Sequence, residues 1–283
     1  MYSCCFHAPE FRRLANGRVL VARLAGLCLL MFAVMGASAQ SDSETVAAAP
    51  ILRVAYLEFP PITYQDSNGQ PAGSFIELTR KVAVEAGYQP EFIYLPVSRV
   101  YLYLINGLID VWPGVTEVPV LQGNVLESWI SPAPVHLSAW YLESSPPLIH
   151  LEELRGKRVI VIGGYTYAGL LDWLAAHPDI RITEAPNHRS AVDMLKRRRG
   201  DYLLDYRQPV RQVLVPGSDD MLRESEVRTR DLAWIFSLAH PRAALMRDEF
   251  DDAYLRLVER GEVPPVRDLT GAYVIPGYPG ELQ

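Results

Sequence analysis

The sequence predicts an α/β fold built as two lobes of similar size. Three observations carry that expectation. Between Ile51 and Val111, strand-like apolar runs alternate with stretches of helical spacing. The same alternation returns after Arg158. Beyond residue 39 the chain holds no cysteine, so its core has to stand without disulfides.

In the first unit, Ile51 to Tyr56 alternates apolar and polar residues as a strand does, and Phe59-Pro60-Pro61 stops it. Asp66-Ser67-Asn68-Gly69 predicts a turn, because Asn-Gly tolerates positive φ. Ser74 and Glu77 have the S-x-x-E spacing of a capping box. Phe75, Leu78, Val82 and Ala86 then follow at helical spacing up to Gly87. Glu91 to Leu95 predicts a second strand, Ser98 to Asn106 a short helix ending at Gly107, and Leu108 to Val111 a third strand. Pro132 and Pro134 interrupt regular structure, which places the connection between units near Ser131 to Leu142.

In the second unit, Arg158 to Ile162 is a run suited to a strand buried on both faces. Gly163-Gly164 turns it into a helix expected over Tyr167 to Ala176, and Ile180 to Thr183 reads as a strand. Asn187 is placed to cap a helix carrying Ala191, Met194, Leu195 and Arg198. Strands are expected at Asp201 to Leu204 and at Leu232 to Leu238. Pro241 opens a final helix whose apolar face is Met246, Phe250, Tyr254 and Leu257, ending at Gly261. The run Lys196 to Arg199 sits at a helix C-terminus, where cations complement the dipole.

The N-terminus predicts export. Arg12, Arg13, Arg18 and Arg23 precede or enter the apolar run Leu24 to Val34, which ends at Ala37-Ser38-Ala39. That is the pattern of a signal peptide cleaved after residue 39, and the run is too short for a membrane span of about 20 residues. All three cysteines (Cys4, Cys5 and Cys28) fall in this leader. Residues 40–49 are small and polar, a flexible lead-in. Removing the leader's four arginines and one glutamate takes the net charge from −6 to −9. So acidic a chain is a poor nucleic-acid partner, because phosphates need a basic face.

The order of motifs resembles bacterial extracellular solute-binding proteins of family 3. The resemblance runs from Leu52-Arg53-Val54 through Phe59-Pro60-Pro61, Tyr64 and Gly69-Gln70-Pro71-Ala72-Gly73. It continues with Gly107-Leu108-Ile109-Asp110, Leu154-Arg155-Gly156-Lys157-Arg158-Val159, and Gly200-Asp201 to Asp205. Pro96 and Arg99 resemble a subgroup with those residues ahead of the second helix. The resemblance implies a two-lobed type II periplasmic-binding fold with two crossing hinge strands. Lobe 1 would be 50–136 plus 233–283, and lobe 2 would be 137–232. It implies a periplasmic monomer that closes over a small polar or amino-acid-like molecule for ABC-type uptake, docking on an inner-membrane permease or a sensor. No cofactor or metal is implied. The chain departs from the family at Val115 to Gln122, which lacks the arginine of the family's Thr-x-x-x-Arg stretch that clamps a ligand carboxylate.

Ligands of open α/β sheets collect beyond the carboxyl ends of strands. That rule singles out Glu58, Phe59 and Tyr64 after the first strand, then Trp112 and Thr116 after the third. Phe59, Tyr64 and Trp112 are either stacking surfaces or lobe core. Tyr165 and Thr166 follow Gly163-Gly164 at a helix start, where backbone N–H groups hold anions or simply make a turn. Arg99 is expected to supply a cation from a neighbouring position in place of the missing clamp. By the resemblance, Asp205 would bind a ligand ammonium; the alternative is an ion pair with Arg207. A sensor or adaptor on the same fold is the second reading. A lyase or dehydratase is the third, with Glu58 and Glu117 as desolvated acid or base, although no catalytic or metal motif accompanies them.

Overall fold

The computed structural model describes residues 48–214, 221–266 and 273–279. The predicted leader and the lead-in up to residue 47 lie outside the described residues. Strand β1 (Ile51–Tyr56) leads to a small hairpin, β2 (Tyr64–Gln65) with β3 (Pro71–Ala72), turned at Gly69 with φ +74°. Helix α1 (Ser74–Glu85) follows, without the expected capping box. Gly73 is the N-cap at φ 119°, and a Cβ there would lie 2.3 Å from the Ile62 carbonyl oxygen. That close approach fixes the helix start one residue earlier than a serine cap needs.

Strand β4 (Gln89–Tyr94) runs parallel to β1, and helix α2 (Val97–Ile105) leads to β5 (Val111–Val115), also parallel to β1. The third strand thus begins where it was expected to end. Its entry is set by Asp110, whose carboxylate accepts the Arg53 backbone N–H at 2.8 Å and the Arg53 Nη2 at 2.5 Å. The short β6 (Val125–Glu127) and the long β7 (Pro134–Leu142) come next, so regular structure resumes at Pro134 rather than after Leu142.

The second half repeats the scheme. Strands β8 (Arg158–Ile162), β9 (Arg181–Ala185) and β10 (Tyr202–Tyr206) are parallel, with β8 between the other two. Asp201 accepts the Arg158 backbone N–H at 2.8 Å and Arg158 Nη2 at 2.7 Å, the same arrangement as Asp110 with Arg53. In each half, one carboxylate therefore locks the chain entering one strand onto the start of another. The helices are α3 (Leu170–Ala175), α4 (His188–Lys196) and α5 (Arg207–Val213). Helix α3 starts later than expected because Tyr167, Ala168 and Gly169 all have positive φ. Asn187 caps α4, accepting the Ser190 N–H at 2.9 Å. Asn187→Ala is expected to cost about 1 kcal/mol in a urea unfolding curve.

Strand β11 (Leu222–Ser237) is the main departure from the pattern expected, in which only its last third is strand. Its residues up to Asp231 pair antiparallel with β7, and Leu232 to Phe236 pair antiparallel with β5. The sheet order is therefore β4-β1-β5-β11-β7-β10-β8-β9, with β11 and the chain entering β7 passing between the halves. Helix α6 (Ala243–Glu259) returns to the first half. There Arg256 and Arg260 grip Glu85 on α1, and their hydrogen bonds lower its carboxyl to about 2.

Residues 273–279, expected with lobe 1, make their bonds to β11 and to the second half. Ile275 N–H donates to the Val227 carbonyl, Leu151 N–H donates to Pro276, and Tyr278 Oη donates to the Tyr167 carbonyl at 3.0 Å. Residues 273–279 thus pack on β11 and the second half, drawn there by burial of Ile275 and Tyr278.

Candidate functional site

A cavity lies where the halves meet. The first half supplies the segment after β1, the start of α2, and β5 with the residues following it. The second half supplies Tyr165 to Ala168 and Tyr206, and Leu232 comes from the crossing strand. The turn after β1 is closed by Phe59 N–H donating to the Thr63 carbonyl at 2.7 Å. The Phe59 ring meets Tyr206 of the other half at 5.2 Å, edge to face. Tyr165 packs on Tyr206 and on Tyr167, at 6.1 and 5.7 Å. On the opposite wall Trp112 meets Tyr101 at 5.7 Å. Gly114 is glycine for a reason: a Cβ there would lie 2.1 Å from the Trp112 ring. These rings leave a void of about 40 Å³, room for about three waters.

The loop under these rings is backbone of an unusual kind. Tyr167 and Ala168, at φ 49° and 54°, are non-glycine residues in the left-handed region, which costs energy unless surroundings hold them there. The Tyr167 hydroxyl accepts the Ile162 N–H at 2.7 Å, and Tyr278 binds the Tyr167 carbonyl from the far side. Burial pushes the Tyr165 and Tyr167 hydroxyls well up, with the Asp205 charge adding to it, and burial also raises Tyr206. Burial raises Tyr101 to about 12, so all four hydroxyls stay protonated at neutral pH.

Asp205 lies beside this cavity but outside its lining, fully buried. Its Oδ2 meets His188 Nδ1 at 2.7 Å, and its Oδ1 accepts the Tyr206 N–H at 2.8 Å. His188 Nε2 faces the Glu58 carbonyl oxygen across the junction at 3.4 Å. Both ring nitrogens therefore face acceptors, the arrangement that suits an imidazolium. Burial pushes the His188 pKa down, but the Asp205 charge and hydrogen bond, with the Glu58 carbonyl, leave it raised. The Asp205 carboxylate, expected to meet a ligand ammonium, is thus met by the protein's own His188 ring. The alternative partner, Arg207, instead grips Glu224 and Glu226.

Of the residues singled out from the sequence, Phe59, Trp112, Thr116, Tyr165 and Thr166 come together in the cavity lining. Glu58, Tyr64, Arg99 and Asp205 do not. Glu58 and Arg99 are exposed, and Tyr64 sits half-buried in the short strand β2. Glu117 is also exposed and is held by Arg228 and Arg230, so neither glutamate is the desolvated acid a cleft enzyme would use. Three contributors went unread: His188, Tyr206 and Arg230. Arg230 is buried on β11, bonds Glu117 at 2.9 Å and donates to the Thr116 carbonyl. A cation does therefore approach Thr116, from the crossing strand rather than from Val115 to Gln122. The basic alternation Arg228-Thr229-Arg230 was its signal in the sequence.

The family model for bacterial extracellular solute-binding proteins, family 3, matches residues 52–125. No curated protein matches the chain by sequence. Among solved structures, the chain is similar to a histidine kinase sensor domain with similarity to periplasmic binding proteins. The TM-score is 0.65 at 22% identity, covering 75% of this chain and 92% of that one. It is similar to an ancestral arginine-binding protein bound to arginine, with TM-score 0.64, 20% identity and coverage of 76% and 95%. It is similar to the substrate-binding protein of an amino acid ABC transporter, with TM-score 0.60, 15% identity and coverage of 75% and 95%. At these identities the likeness carries the fold. The chain resembles family 3 and has the two-lobed type II periplasmic-binding fold with two crossing strands.

Proposed function

We propose that the protein is a periplasmic binding module that closes two lobes over a small molecule and performs no chemistry on it. The carrying observation is an aromatic cavity lined from both halves of a sheet that is crossed by β11 and by the chain entering β7. In this reading lobe 1 is 50–136 with 233–266, and lobe 2 is 137–232 with 273–279. Phe59, Trp112 and Thr116 bind from the first lobe, and Tyr165, Thr166 and Tyr206 from the second. A ligand touching both lobes favours closure, because its contacts are complete only when they meet. The closed form then delivers its ligand to an ABC-type permease. Signalling through a membrane sensor is the second reading, favoured by the likeness to a histidine kinase sensor domain. The leader read at 1–39 supplies export, and no helix among the described residues is long and apolar enough to cross a membrane.

A thermal-shift series with amino acids, polyamines, organic acids and small aromatics, paired with small-angle scattering, tests this. A ligand at a hundred times its Kd should stabilise by about 2.7 kcal/mol and contract the particle. A panel that leaves both melting point and radius of gyration unchanged would overturn the binding reading.

A further inference from the structure

The cavity's chemistry is unlike that expected for an amino acid. Among the described residues, none of its lining side chains is Asp, Glu, Lys, Arg or His. The charged side chains that adjoin the lining are already engaged. Asp205 is paired with His188, Arg230 with Glu117, and Asp231 accepts from Ser131 at 3.3 Å. Glu58 is exposed to solvent. Lining hydroxyls are engaged as well. Thr63 donates to the Leu57 carbonyl at 2.9 Å, Thr116 to the Asp231 carbonyl at 3.3 Å, and Tyr165 to the Glu58 carbonyl at 3.5 Å. A zwitterion entering here would meet no charge in the lining itself: its carboxylate would have to draw Arg230 from Glu117 and its ammonium Asp205 from His188, each at a desolvation cost.

The walls that remain are flat. Phe59, Tyr165, Tyr167 and Tyr206 make a set of rings with centroids 5.2–6.2 Å apart, facing Trp112 and Tyr101. Rings meet favourably at about 4.5–7 Å in edge-to-face or offset geometry, so a further ring between these walls finds partners on both. The void of about 40 Å³ means that Phe59 and Tyr206, from opposite halves, have to part to admit it. That requirement couples ring binding to lobe movement.

From this we infer that the ligand is a small uncharged aromatic molecule, a phenol or an indole in its simplest form, held between the rings of the two lobes. The inference rests on the binding reading above and names its ligand class. A polar substituent on such a ring finds the hydroxyl of Tyr206 at the cavity wall.

Isothermal titration and thermal shift of the purified chain with indole, phenol, L-arginine, L-glutamine and L-glutamate test it. Indole or phenol should raise the melting point with concentration, and the amino acids should leave it in place. Trp112→Phe and Phe59→Leu should each weaken binding roughly two- to tenfold, the range of an aromatic pair. Lys81→Ala, on the exposed face of α1, should leave affinity unchanged. Circular dichroism of each variant separates lost binding from lost fold. Binding of an amino acid with silence from both aromatics overturns the ligand class and leaves the binding module standing. Silence from all five overturns the ligand class; the module falls with it only if the wider panel is silent too. Aromatic binding unaffected by Trp112→Phe and Phe59→Leu places the ligand elsewhere and also overturns the inference.

Discussion

His188→Ala is expected to lower the unfolding free energy by about 3–5 kcal/mol, the cost of breaking a buried ion pair from one side. The variant leaves the fully buried Asp205 carboxylate with the Tyr206 N–H and without its cation. A double variant, His188→Leu with Asp205→Leu, removes both charges and should recover most of the loss, because well-packed apolar residues replace such pairs at little cost. The pH dependence has a definite sign. The folded pKa of His188 is raised above its ordinary 6.5, so the pair's stabilisation is complete below about 6.5. It is lost as pH rises through the higher folded value. The groups facing the imidazole are the Asp205 carboxylate, the Glu58 carbonyl and the rings of Phe59 and Tyr165. Urea unfolding at about pH 5.5 and about pH 9 should show the native chain losing this component and the double variant keeping a flatter profile. A His188→Ala chain as stable as the native one would mean that Asp205 is solvated or neutral without its partner.

Much of the fold was legible because local chemistry and the global arrangement agree. The run Arg158 to Ile162 is apolar because both faces of β8 are covered, and its limits were read to the residue. Asn187 was legible as a cap because its side chain bonds three residues ahead. Ser74 misled because its spacing to Glu77 says nothing of Ile62, far back in the chain, which demands a glycine at 73. The first part of β11 was invisible for a different reason. Leu222 to Asp231 is largely polar and bulged near Glu226, and it is held by ion pairs: Arg223 with Glu143, Arg207 with Glu224, and His136 with Glu226. Periodicity cannot find a strand whose side chains are paired rather than buried. Five of the eighteen residues that line the cavity, Phe59, Trp112, Thr116, Tyr165 and Thr166, follow strand ends in the sequence, which is why they meet there. Its electrostatics did not follow, since the pairing of His188 with Asp205 joins a helix start to a strand end 17 positions away.

Tyr278→Ala is expected to cost about 3–5 kcal/mol and Ile275→Ala about 2–5 kcal/mol, the range for emptying a core aromatic or aliphatic site. Ile275 is fully buried, and Tyr278 is 4% exposed beneath the Arg228 guanidinium, which lies 4.8 Å from the ring centre. The two side chains share one strap, so their effects should fall short of additive in the double variant. A surface tail would give almost nothing in the same chemical unfolding experiment, and that outcome would detach 273–279 from the second half. The functional consequence differs from simple loss of core. Tyr278 holds the carbonyl of Tyr167, a residue kept at positive φ in the cavity wall. Arg228, over the Tyr278 ring, also bonds Glu117 in the first half, and Glu117 in turn bonds Arg230 beside Thr116. The strap therefore joins the wall of one half to the wall of the other through a chain of side-chain contacts that ends on backbone carbonyls. Tyr278→Phe keeps the ring under Arg228 and removes the hydroxyl, so it should spare most of the stability while freeing the Tyr167 loop. If ligand affinity falls in Tyr278→Phe while the unfolding curve barely moves, the strap acts on the site. If both move together, its role is packing.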